Sequence, residues 1–225
     1  MTLSPWPTAP TKGPDGVGVA RAGGVLTLTL DRPTDQNRLT RDVLVSLQSI
    51  ADRLRDDGEI QAVVMTGSGS EFFSMGILNP AVRAGYTKDQ ILELVRLANR
   101  LYDALEALPQ IVIVAINGIA RAGAAELSLA CDIRLAASHA TWALPEALWG
   151  GFPGAGGPVR LPAIVGRARA LELICTGRGS TPRRWSGSGW CSRFTPAGAC
   201  SPRRRSWRRG SPPAGPSRRE APSAS

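Results

Sequence analysis

The chain has 225 residues, enough for one domain with a sizeable core or a core plus a tail. A single histidine argues against a histidine-rich metal site and against a Ser-His-Asp triad. Four cysteines (Cys131, Cys175, Cys191 and Cys200) with no CxxC pair favour a reducing, cytoplasmic setting without structural disulfides. The formal charge of +9 resides in residues 179–225, which hold ten arginines and one acid, Glu220; residues 1–178 are neutral. A neutral core carries no electrostatic footprint for nucleic acid, so any such binding rests on the arginine-rich tail alone, whose composition reads as incidental, and that partner is not expected.

Residues 1–15 are rich in Pro and Thr and lack a charged start followed by an apolar run, so they read as a disordered arm rather than a secretory signal. Val17 to Arg21 and Val25 to Leu30 flank Ala22-Gly23-Gly24. This predicts a β-hairpin with Leu26, Leu28 and Leu30 on one face. Thr40 can cap a helix running to about Arg55, with the stripe Val43, Leu44, Leu47, Ile50 and Leu54. Ile60 to Met65 is a short apolar strand. Thr87 and Gln90 form a capping box ahead of a long helix with the stripe Ile91, Leu94, Ala98, Leu101, Leu105 and Leu108, which Pro109 stops.

Ile111 to Ile116 reads as a buried strand, and it is the longest aliphatic run, far too short to span a bilayer. Asn117-Gly118 turns it toward a small-residue helix, Ala122 to Ala130. Ile133 to Ala136 and Thr141 to Ala143 are two further strands. A glycine-rich loop, Gly150 to Gly157, precedes apolar helical sequence to about Thr176, and no GK[ST] follows it, so it is not a phosphate loop. Strands alternating with helices indicate an α/β domain over residues 16–178. Residues 179–225 contain no Val, Ile, Leu or Met, so this tail is expected to be disordered.

Three segments carry the chemistry: Glu71-Phe72-Phe73-Ser74-Met75-Gly76-Ile77-Leu78; Ala115 to Leu127, with Ala122-Gly123-Ala124 and Glu126; and Leu144-Pro145-Glu146 followed by Gly151-Phe152-Pro153-Gly154-Ala155-Gly156-Gly157. Their order and spacing resemble the enoyl-CoA hydratase/isomerase (crotonase) family. So do Leu28 to Pro33 with Asn37, and Cys131 to Ala136. The resemblance covers about Val17 to Arg178. It implies an α/β fold with a crotonase-like ββα superhelix core that binds an acyl-CoA thioester. Coenzyme A is part of that substrate, and no separate cofactor or metal is implied.

By this resemblance Ile77 and Gly123 supply backbone N–H groups to an enolate oxyanion, a role suited to a helix start. Glu126 and Glu146 are the carboxyl groups that hold the water, and Gly154 positions that water. Taken without the flanking pattern, Glu126 reads as part of a solvated face or as a buried salt-bridge partner, and Glu146 as an acid at a helix start that favours the dipole. His139 is given no role, and Cys131 reads as a small core residue. The implied reaction is addition of water across the 2,3 double bond of a trans-2-enoyl-CoA. Enoyl-CoA isomerisation, another reaction of this fold, or a catalytically weak fragment acting as a binding partner are the alternatives.

The sequence departs from the family at Met75 and Leu78, where Ala and Asp are usual, and at Ala122 and Ala124, which replace glycines. After Arg178 the family continues with an aromatic, Asp-Ala-x-Glu-Ala and Gly-Leu-Val, then helices that cover the acyl site and help build homotrimers and hexamers. Residues 179–225 lack this pattern. Codons for Gly179 to Arg193 can be chosen that restore it when read one base earlier, which points to a shifted reading frame; the nucleotide sequence of the gene is the test.

Overall fold

The computed structural model describes residues 5–182 and the backbone of residues 193–195. Two sheets organise it. The larger contains β1 (Thr11–Lys12), β2 (Val17–Ala22), β3 (Val25–Leu30), β4 (Ala62–Gly67), β6 (Ile111–Ile116), β8 (Ile133–Ala137) and β10 (Arg193–Thr195), paired in that order. The smaller is β5 (Phe72–Ser74), β7 (Ile119–Arg121) and β9 (Thr141–Ala143). The first two pairs of the large sheet, β1–β2 and β2–β3, are antiparallel; every other pair in both sheets is parallel.

Strand order shows how the chain winds. Each turn lays one strand in the large sheet (β4, β6, β8), one in the small sheet (β5, β7, β9), and then returns through helix. The return helices are α2 (Pro80–Arg83) and α3 (Lys88–Glu106), then α4 (Gly123–Leu129), then α5 (Gly157–Val165) and α6 (Arg167–Thr176). Because both sheets advance by one strand per turn, the repeat is a ββα superhelix.

Local sequence explains most elements. Ala22 pairs with Val25, so Gly23-Gly24 is the hairpin turn, with Gly23 at φ 61°. Leu26, Leu28 and Leu30 are buried beneath it. Helix α1 (Arg41–Leu54) starts where the Thr40 hydroxyl accepts from the Val43 N–H. The Thr87 capping box of α3 is present from both sides. These two helices pack on each other and bury Leu44, Leu47, Leu97 and Leu101 in the core. The apolar stretch before Thr176 breaks at Gly166 (φ 81°), making two helices.

Three expectations change. The arm expected to be loose is docked from Pro5 onward: Trp6 is 6% exposed, its indole N–H donates to Asp57 at 2.6 Å, and the Arg53 guanidinium lies 3.5 Å from its ring centre. Thr11–Lys12 also pairs with β2. The strand expected at Ile60 begins at Ala62. The tail expected to be disordered from Gly179 instead continues the fold in two places. Ser180 bridges Trp142 through hydrogen bonds of 2.8 and 3.0 Å, and Arg193–Thr195 adds a parallel strand beside β8. The rest of that expectation, at residues 183–192 and 196–225, lies outside the described residues. Among the described residues, no helix is long and apolar enough to cross a membrane.

Candidate active site

The three sequence segments meet because they follow three neighbouring parallel strands. Gly76-Ile77 leaves the end of β5, Ala122-Gly123 the end of β7, and Leu144-Pro145-Glu146 the end of β9. Parallel strands emerge on one side, and the crevice beyond their carboxyl ends is where ligands bind in such sheets. A cavity of about 910 Å³ opens there, lined by Ile77, Gly123, Glu126, Glu146 and Gly154 among others. All five residues singled out from the sequence are therefore brought together. Strand β7, which in the sequence reads as part of the turn before α4, is what aligns the middle segment with the other two.

Gly76 occupies φ 81°, and a Cβ there would fall 2.5 Å from the Arg121 carbonyl oxygen and 2.9 Å from the Gly123 nitrogen. Only glycine lets the β5 end lie this close to the start of α4. The Ile77 side chain in turn covers Gly123: a Cβ on Gly123 would meet Ile77 Cδ1 at 2.7 Å. Neither the Ile77 N–H nor the Gly123 N–H donates to a partner among the described residues. The Gly123 carbonyl is fixed by the buried Tyr102 hydroxyl, which donates to it at 2.7 Å. Ala122 takes φ 51° and ψ −130°, a backbone that suits glycine.

Glu126, 3% exposed, sits in the first turn of α4. Its Oε1 accepts from the backbone N–H groups of Ala155 at 2.8 Å and Gly157 at 2.9 Å. Burial pushes its pKa up to about 8, the Glu146 carboxyl adds to the rise, and the two N–H groups oppose it. Glu146 lies in a 3-10 turn, Pro145–Trp149, and its pKa is raised to about 7, again by burial. Its Oε2 is buried without a hydrogen-bond partner among the described residues. A buried carboxyl oxygen without a partner, on a residue of the cavity wall, is one that a water or a substrate group can satisfy.

Gly154 lines the cavity, but its carbonyl accepts from Asn99 at 2.9 Å. The loop's grip on Glu126 comes from the N–H groups of Ala155 and Gly157, two donors that nothing in the local sequence marks out. Leu78, where an acid is usual in the family, adds apolar lining. His139 is exposed beside the Ser70 carbonyl, outside the cavity lining. Cys131 is buried, and burial pushes its thiol up to about 12, which suits a core residue and not a nucleophile. Among the described residues, no group of three or more His, Cys, Asp or Glu could hold a metal ion.

The winding ββα core thus brings one buried carboxyl group, Glu126, and one half-buried one, Glu146, to the same cavity as two N–H groups that have no partner among the described residues. The sequence pattern of the enoyl-CoA hydratase/isomerase family matches residues 20–208, past Arg178, and the chain belongs to that family. YngF of Bacillus subtilis is 44% identical over 151 residues, 67% of this chain and 58% of YngF. The crotonyl-CoA hydratase of Syntrophomonas wolfei is 34% identical over 149 residues, 66% of this chain and 57% of that protein. The crystal structure of an enoyl-CoA hydratase from Bacillus anthracis superimposes with a TM-score of 0.78 at 36% identity, covering 81% of this chain and 70% of that one. The chain spans just under three fifths of the length of these two curated relatives.

Proposed function

We propose that the chain is an enoyl-CoA hydratase that adds water across the 2,3 double bond of a trans-2-enoyl-CoA to give a 3-hydroxyacyl-CoA, with no cofactor beyond the coenzyme A of the substrate. The observation that carries the reading is the pair Glu126 and Glu146, raised to about 8 and about 7, in one cavity with the Ile77 and Gly123 N–H groups. Near neutral pH such a pair holds one proton between its two members. One carboxylate takes a proton from water as its oxygen bonds to C3, and the other carboxyl gives a proton to C2. The thioester oxygen, carrying charge in between, receives the Ile77 and Gly123 N–H groups. The Glu146 carboxyl, on the cavity wall with one oxygen lacking a partner among the described residues, offers an acceptor for that water.

Isomerisation moves a proton without adding water and can run on one carboxyl group; the presence of two favours hydration. The test is hydration of crotonyl-CoA by the parent, Glu126→Gln and Glu146→Gln. Loss of roughly 10²–10⁴-fold in either variant is expected. A Glu126→Gln variant that still isomerises a 3-enoyl-CoA supports isomerisation instead. The acyl-CoA thioester is the proposed partner; a homotrimer or hexamer is a further proposal, checked by sedimentation.

A further inference from the structure

The loop that holds Glu126 is itself held from α3. Residues 150–156 carry no regular element, yet the N–H groups of Ala155 and Gly157 both reach one carboxyl oxygen. Asn99, on α3, donates from its amide to the Gly154 carbonyl at 2.9 Å and to the Val95 carbonyl of its own helix at 2.9 Å. The Gly154 C=O and the Ala155 N–H are two ends of one peptide group. Asn99, that peptide and Glu126 thus form a continuous hydrogen-bond chain, in which each bond polarises the next.

Arg160 grips the same loop from the other side. Its side chain is 10% exposed, and it pairs with Asp103 at 2.5 Å and with Glu106 at 2.9 Å, both one or two turns along α3 from Asn99. Its third contact runs to the Ala155 carbonyl at 3.4 Å. Gly156 stands at φ 91°, and a Cβ there would land on the guanidinium, so glycine is what lets the arginine head lie against the loop.

We propose that Asn99 and Arg160 are positioning residues for the hydration reaction: from α3 and α5 they fix the 154–157 loop so that its N–H groups stay on the Glu126 carboxyl. This rests on reading Glu126 as one of the two reacting carboxyl groups. The other ionisable groups acting on or beside it are Glu146, from the 3-10 turn, and Tyr102, from α3. Arg160 also pulls the Glu126 pKa down through its charge.

The experiment titrates Glu126 in the full chain by the ¹³C shift of labelled glutamate carboxyls, with the resonance assigned by its loss in Glu126→Gln. Asn99→Leu removes the donor at similar volume, and Arg160→Lys keeps the charge but loses the fork. Both variants are expected to move the Glu126 midpoint upward, by about half a unit for Asn99→Leu and by less for Arg160→Lys. Crotonyl-CoA kcat should fall about tenfold with KM within about twofold, and its pH profile should shift upward with the midpoint. If Asn99→Leu does not fold, the shorter Asn99→Ser at this half-buried position gives the same readout. Unmoved midpoints in folded variants overturn the proposal, even where activity falls, because the loop then serves only general stability. A Glu126→Gln variant as active as the parent overturns the catalytic reading of Glu126, while the carboxyl midpoints of the other variants still decide whether the loop is positioned from Asn99 and Arg160.

Discussion

Replacing Glu126 with Gln should make the protein more stable at alkaline pH. Glu126 titrates at about 8 when folded against an ordinary 4.5, so the folded state keeps a proton that the unfolded chain gives up. Below pH 4.5 both states are protonated and burial costs nothing through ionisation. As pH rises from 4.5 toward 8 the unfolded chain ionises first, and stability falls by up to about 1.4 kcal/mol per pH unit. Across the whole window the upper bound is about 5 kcal/mol, and the group is buried enough for most of it to be felt. Gln keeps an oxygen to accept from Ala155 and Gly157 while carrying no charge. Urea unfolding, followed by the fluorescence of buried Trp142, reads the difference at pH 5, 7 and 9. The two proteins should agree within about 1 kcal/mol at pH 5, and the variant should lead by about 3–5 kcal/mol at pH 9. The burial of Glu146 is common to both proteins, and its repulsion of an ionised Glu126, which the variant loses, is already part of the rise to about 8. Parallel pH slopes in parent and variant would refute the burial argument, because Glu126 would then be ionised in the fold at no special cost.

The same pair predicts a narrow bell for hydration. One group must be protonated and the other ionised, so kcat for crotonyl-CoA should fall below about pH 7 and above about pH 8; a flat rate from pH 6 to 9 contradicts this. Ala122→Gly should relieve the backbone at φ 51°, ψ −130°. The strain there is worth about 1–3 kcal/mol against about 0.4–1 kcal/mol of added chain entropy, so Tm should rise by about 2–4 °C in a thermal scan. Trp6→Ala should cost about 3–5 kcal/mol in urea unfolding, since it removes a buried indole, its hydrogen bond to Asp57 and the Arg53 stack. An unchanged midpoint would return the N-terminal segment to the status of a loose arm.

Much of the fold and site was legible in the sequence, for identifiable reasons. The hairpin turn at Gly23-Gly24, the Thr40 cap and the Thr87–Gln90 capping box are local chemistry, decided within a few residues. Glu126, Glu146, Ile77, Gly123 and Gly154 were recognisable because their flanking segments keep a family order, and all five line one cavity. Strand β7 escaped because Asn117-Gly118 reads as a turn leading straight into the small-residue helix, and its pairing to β5 and β9 is entirely long-range. Trp6 escaped because its partners, Arg53 and Asp57, lie some fifty residues away. Asn99 and Arg160 escaped because each is an ordinary polar residue on a helix until the loop is laid across it.

By itself the sequence determined the hairpin, the long helices and the central strands of the large sheet, which faces are apolar, and that two carboxyl groups accompany a glycine at a helix start. The tertiary structure alone decided that the ends of β5, β7 and β9 point the same way and so build one cavity. It also decided the ionisation of Glu126, because a carboxyl pKa is set by burial and by the donors that reach it. Those donors, Ala155 and Gly157, arrive from about thirty residues away, on a loop held by a helix that precedes Glu126 in the chain.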